Sequence, residues 1–406
     1  MIGSLQRFGA AAACTTLAVL VGMQPAVADT IRNRQWHLTV LNVSAAQKIT
    51  KGAGIVVAVI DTGVRADHRD LIGNVLPGAD FVASGTEGGV DPDGHGTAMA
   101  GLIAGHGHGE RGADGTLGLA PAARILPIRS LRGKNRAPVD VPSAINEAVK
   151  RGADVISMSF EITDSPSLDR ALDNALKANI VLVAGTGNRP DQVFLQYPAK
   201  YPGVLAVGAT GRDGKVAPFS VTGKEMVLSA PGEDITSTSN SGNYRTASGT
   251  SDATAIVAGA AALVRARFPG LSASEVVRRL TATATDKGAP GRDSDYGFGE
   301  LNLVAALTAD VPPASAPASG SVTAPATSDG QGLPSGGGSA VRVDWVAVGV
   351  VLAVGGLVLG VGVGLIVWFV VRGRRRRRVS SGVPGGGSYR PPEPGGGESR
   401  RGTFGP

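Results

Sequence analysis

Cysteine is nearly absent. The 406 residues contain one, Cys14, inside a stretch read below as a removed leader, so the mature chain forms no intramolecular disulfide. No repeat of about 20–50 residues recurs, which excludes solenoid and propeller arrays. The serine in Gly249-Thr250-Ser251-Asp252-Ala253 is not framed as Gly-x-Ser-x-Gly, which speaks against an α/β-hydrolase esterase. Around His106-Gly107-His108 no Gly-Lys-Ser/Thr follows, so the glycine-rich stretch is no phosphate loop. It also lacks a cysteine or carboxylate at ligand spacing, and it reads as an exposed loop with no metal.

Residues 1–28 read as a secretory leader: Arg7 near the start, an apolar run from Phe8 to about Met23, and Ala26-Val27-Ala28 ahead of cleavage before Asp29. Near the other end, Val346 to Val371 is a run of about 26 residues without a charge, flanked by Trp345 and containing Trp368. At about 1.5 Å per residue it is about 39 Å long, enough to cross a hydrocarbon core of about 30 Å. Residues 344–371 are therefore expected to form one transmembrane helix. Arg372 and Arg374 to Arg378 follow at once, and such a cluster stays cytoplasmic. The expected placement is single-pass in the cell membrane, with the globular part extracytoplasmic and residues 372–406 inside.

These six arginines equal the whole formal net charge of +6. The excess is a stop-transfer signal beside anionic lipid, and no nucleic-acid partner is expected. Residues 310–343, rich in Pro, Ala, Ser and Gly, carry too little apolar surface to offset ordering entropy and read as a linker.

About 280 residues, 29–309, remain for a folded core, which suits one large α/β domain. Short apolar runs recur at Ile55 to Ile60, Ile125 to Ile128, Val155 to Met158, Ile180 to Ala184 and Val204 to Val207. Helix-like stretches such as Ser143 to Arg151 and Ser167 to Ala178 lie between several of them. This alternation predicts a mostly parallel central sheet covered by helices on both faces.

Three short motifs sit on that framework in order. Asp61 closes Val57-Ala58-Val59-Ile60-Asp61-Thr62-Gly63, at a strand end where open α/β sheets expose ligand-binding loops. His95 opens the small, apolar helix that follows Gly94, and Ser251 opens the helix Thr250 to Phe268. Together they supply an acid, a base and a nucleophile: the carboxylate orients the imidazole, and the imidazole takes the serine proton. A serine at a helix start also sits among free backbone N–H groups that can face an oxyanion. Taken singly, each residue could be a turn, a cap or a buried small residue; jointly they point to serine hydrolysis.

These motifs resemble the subtilisin family of serine proteases over roughly residues 50–307. Val181-Leu182-Val183-Ala184-Gly185-Thr186-Gly187-Asn188 is similar to the family segment that ends in the oxyanion-hole asparagine, and Tyr197 to Ala209 and Ala230-Pro231-Gly232 resemble further family segments. The resemblance implies the three-layer subtilisin-like fold, with catalytic Asp61, His95 and Ser251 and with Asn188 in the oxyanion hole. It also implies Ser157, Met158, Ser159 and Phe160 as an edge strand pairing with an extended protein or peptide substrate, and no metal or cofactor. Three departures stand out: Glu161 where many members have glycine beside the specificity pocket, Asp252 after the nucleophile, and Ala255 in place of proline. Glu161 is expected to favour a basic residue before the cleaved bond.

Within that family the chain is most similar to mycosins, the membrane-anchored proteases of type VII secretion in actinobacteria. Arg34-Gln35-Trp36-His37-Leu38, the linker and the C-terminal helix with its arginines carry this likeness. Only 32 positions separate Asp29 from Asp61, too few for a folded inhibitory pro-domain. Membrane proteins of a secretion complex are then expected partners, and the alternative function is a mainly structural component of that complex. Whether the extension 29–51 wraps the core or blocks the cleft is open from sequence.

Overall fold

Nearly continuous apolar runs become the strands of one parallel sheet because strands covered on both faces need no polar side. The computed structural model describes residues 30–133 and 135–312. The sheet comprises β1 (Val56–Asp61), β2 (Ala79–Asp80), β3 (Arg124–Arg129), β4 (Val155–Met158), β5 (Val181–Gly185), β6 (Leu205–Thr210) and β7 (Leu228–Pro231). Their order is β7-β6-β5-β4-β1-β3-β2, and every neighbouring pair is parallel. The five runs read from sequence are β1, β3, β4, β5 and β6, with ends shifted by up to three residues. The edge strands β2 and β7 carry no comparable apolar run.

Three short helices come first: α1 (Thr30–Arg34), α2 (Trp36–Val40) and α3 (Val43–Ile49). They are followed by α4 (His95–Ala104), α5 (Val141–Lys150), α6 (Pro166–Lys177), α7 (Thr250–Arg267), α8 (Ala273–Ala282) and α9 (Leu303–Thr308). On one face, α5 buries Val141, Ala144, Ile145 and Ala148, and α6 buries Leu168, Ala171, Leu172 and Ala175. Both are stripes at helical spacing. Asp140 and Ser165 cap these helices by accepting from the Ser143 and Leu168 N–H groups, as short polar side chains do at helix starts.

On the other face, α4 is buried along all ten residues and α7 along fifteen of eighteen. A helix without a polar side belongs inside a large core, and the small residues of α4 and α7 let them pack closely. Within β1 the two sides alternate: Val57 and Val59 join the α4/α7 core, Ala58 and Ile60 the α5/α6 core. The result is the expected three-layer α/β architecture.

The N-terminal extension wraps the core. Gln35 accepts from the Leu117 N–H at 2.8 Å and donates to the carbonyls of Leu117 and Thr236. Trp36 donates to the Glu233 carbonyl at 3.0 Å, and the Arg32 guanidinium reaches the Gly112 and Gly115 carbonyls. Among the described residues no helix is long and apolar enough to cross a membrane. The leader, most of the linker, the expected span 344–371 and the tail lie outside the described residues.

Candidate active site

Strand register brings the site together. Ile60 on β1 lies opposite Met158 on β4, and Met158 lies opposite Ala184 on β5. The chain therefore leaves three adjacent strands at one level, delivering Asp61, Ser159-Phe160-Glu161 and Thr186-Gly187-Asn188 to the carboxyl edge of the sheet, where α/β folds hold ligands.

His95 Nδ1 lies 2.8 and 2.9 Å from the two carboxylate oxygens of Asp61. A carboxylate only accepts, so Nδ1–H is the donor and Nε2 is left as the basic nitrogen. Both side chains are buried. Their approach requires glycine twice: a Cβ on Gly96 would stand 2.1 Å from the Gly63 carbonyl, and one on Gly63, at φ 105°, would stand 2.0 Å from the Val90 carbonyl.

The start of α4 is fixed by a residue that motif reading missed. Asp91 accepts from the Gly94 and Thr97 N–H groups and from the Thr62 and Thr97 hydroxyls, all at 2.6–2.8 Å. Thr62 in turn accepts from the Gly96 N–H at 3.0 Å. A carboxylate four residues ahead of the helix, in Asp91-Pro92-Asp93-Gly94-His95, was the available signal, since such side chains satisfy open helix N–H groups.

Ser251 is the second residue of α7 and lines a cavity of about 540 Å³ together with Asn188, Ser159, Phe160 and Glu161. At this helix start the Thr250 N–H donates to Asn188 Oδ1 at 2.9 Å and the Asp252 N–H to the Gly249 carbonyl at 3.2 Å. Among the described residues the Ser251 N–H has no acceptor, and with Oδ1 engaged, the Asn188 Nδ2 group remains a donor. Two free donors therefore sit beside the Ser251 side chain. His95 Nε2 has no hydrogen-bond partner, so the structure does not join it to Ser251. Catalytic contacts in a free enzyme often tighten only around substrate.

The edge-strand expectation is corrected for Ser157 and Met158. β4 lies between β1 and β5, Ser157 opposite Val59 and Val183, Met158 opposite Ile60 and Ala184. Both backbone edges are occupied and both side chains are buried, so neither can pair with substrate. Ser159, Phe160 and Glu161, past the strand end, do face the cavity. Asp191 and Gln192 also line it, and the sequence reading did not include them.

Two carboxyls close to Ser251 in the chain or in its cavity are shifted by burial. Asp252 is buried and pairs with Arg245 at 2.9 Å. Burial pushes its carboxyl up, opposed by that guanidinium, and burial likewise raises Glu161. His106 and His108 form a short strand paired with Asp114–Leu117 rather than an open loop. His108 is held by Asp70 at 2.6 Å, and among the described residues no cluster suited to a metal occurs.

A parallel sheet with an acid and a base at its carboxyl edge and a serine at the start of a buried helix defines a hydrolase of the serine type. The profile of the subtilase family, peptidase S8, matches residues 52–299, and the chain belongs to that family: it is a serine endopeptidase of the subtilisin type. Mycosin-3 of Mycobacterium tuberculosis is 37% identical over 366 residues, 74% of this chain and 76% of that protein. Subtilisin DY of Bacillus licheniformis is 41% identical over 262 residues, 63% and 92% of the two chains. The solved MycP3 protease from the type VII (ESX-3) secretion system is 35% identical with a TM-score of 0.59, covering 68% of this chain and 88% of that one. The chain is thus a subtilase related to the mycosins of type VII secretion.

Proposed function

We propose that the chain is a membrane-anchored, extracytoplasmic endopeptidase that hydrolyses peptide bonds with Asp61, His95 and Ser251 and serves a type VII secretion system. The observation that carries the catalytic part is the 2.8 Å contact between His95 Nδ1 and Asp61 beside the cavity walled by Ser251 and Asn188. His95 Nε2 takes the Ser251 proton as Oγ attacks the substrate carbonyl, then returns it to the leaving amine; Asp61 holds the tautomer and stabilises the imidazolium. The Ser251 N–H and Asn188 Nδ2 receive the developing oxyanion, a type of donor whose loss costs about 10² to 10³ in rate in subtilisin itself. No step calls for a metal or organic cofactor.

The anchor is supported by residues 344–371 and the arginines behind them, and the secretion role by the relatives named above. The test is labelling of purified full-length protein with a fluorophosphonate. A single adduct on Ser251, absent in Ser251→Ala of equal thermal stability, is expected; an unlabelled, folded wild type would remove the proteolytic reading.

A further inference from the structure

We propose that the cavity beside Ser251 accepts a cationic side chain, so that cleavage follows lysine or arginine; this rests on the catalytic reading above. The oxyanion donors Asn188 and Ser251 stand in the wall of this cavity. The residue whose carbonyl is attacked is therefore the one whose side chain enters it.

The lining is polar and acidic. Only Phe160 and Pro138 are apolar, whereas Glu161 and Asp191 bring two carboxylates. Among the described residues neither carboxylate has an ion-pair partner or a side-chain donor, and Glu161 is met only by its own backbone N–H. Gly187, at φ 105°, adds no side chain beside Glu161: a Cβ there would already stand 3.5 Å from Glu161 Oε1. The one cation of the described lining, Arg136, turns to Asp93, its Nε 3.4 Å from Oδ1.

Glu161 is thus half-buried in a site shared with Asp191. Burial holds its carboxyl above the usual range; its own backbone N–H and the fields of His95 and Arg136 pull the other way, and the like charge of Asp191 adds a smaller upward push. An entering ammonium or guanidinium relieves both the desolvation and the repulsion. An apolar side chain would further desolvate the half-buried Glu161 carboxylate and gain nothing from it or from the exposed Asp191 at the rim. A glutamate would add a third negative charge.

The experiment uses full-length protein and fluorogenic peptides that differ only in the residue before the cleaved bond. Arginine and lysine are expected to exceed leucine by about tenfold or more in kcat/KM, with glutamate lowest. Glu161→Gln and Asp191→Asn should each cut the arginine-to-leucine ratio by about fivefold, and the double variant should bring it near unity. The ratio in the wild type should also fall on acidification at a higher pH than an ordinary glutamate would give. Leucine preference in a wild type that still labels at Ser251 overturns the cationic pocket and leaves the protease standing. An arginine preference untouched by both variants overturns the assignment to these carboxylates, and absence of any label removes both readings.

Discussion

His37 is fully buried in the N-terminal extension, and neither ring nitrogen has a partner. Burial lowers its pKa to about 3. In the unfolded chain the imidazole titrates near 6.5, so below that pH the unfolded state binds a proton that the folded state refuses. The stability held above pH ~6.5 is therefore lost as pH falls toward about 3, at about 1.4 kcal/mol per unit, or about 2 kcal/mol by pH 5. Thermal melts should show His37→Phe with a flatter pH dependence between pH 6.5 and 4.5; parallel curves for variant and wild type would contradict the burial argument. Nothing in Arg34-Gln35-Trp36-His37-Leu38 revealed this, because burial comes from packing against distant segments. The pairing of Asp61 with His95, and the place of Ser251 and Asn188 in one cavity wall, were legible because each residue stands in a short motif. Asp191, in Asn188-Arg189-Pro190-Asp191-Gln192, reads like any solvated loop acid until the fold sets it in the rim of the cavity that Ser251 also lines.

Helix α4 places His95 at its first residue, so whatever fixes the helix start fixes the base. Asp91 does this with four short hydrogen bonds to Gly94, Thr97 and Thr62. Asp91→Ala is expected to cost at least about 1–2 kcal/mol by denaturant unfolding, the range for a lost cap. Fluorophosphonate labelling should also slow, because His95 loses its anchor. Asp91→Asn, which keeps an acceptor, should recover part of both. A variant with wild-type labelling would show that Asp61 alone orients the ring. The elements were largely legible: five apolar runs became five strands, and the α5 and α6 stripes became helices packed on the sheet. Strand order was not. Val155 to Met158 has the same apolar pattern whether it lies at an edge or in the middle, and only the pairing with β1 and β5 shows that Ser157 and Met158 have no free edge; the proposed substrate path runs past Ser159 instead.

For the molecule as a whole, we propose that the leader, which carries Cys14, is removed, and this gives a clean background for a topology test. A single Ser388→Cys is then the only thiol of the processed chain. It should react with a membrane-impermeant maleimide after lysis and not in intact cells; labelling of intact cells would reverse the expected orientation. Inside the folded part, the level at which β1, β4 and β5 end has a consequence for how the enzyme can change. Successive strand residues point to opposite sides, so losing or gaining one residue within any of these three strands would swing its reactive group away from the others and abolish turnover at a stroke. Insertions in the turns beyond them leave that alignment untouched. Diversification of this protease is thereby channelled into its rim, with the chemical machinery held constant beneath.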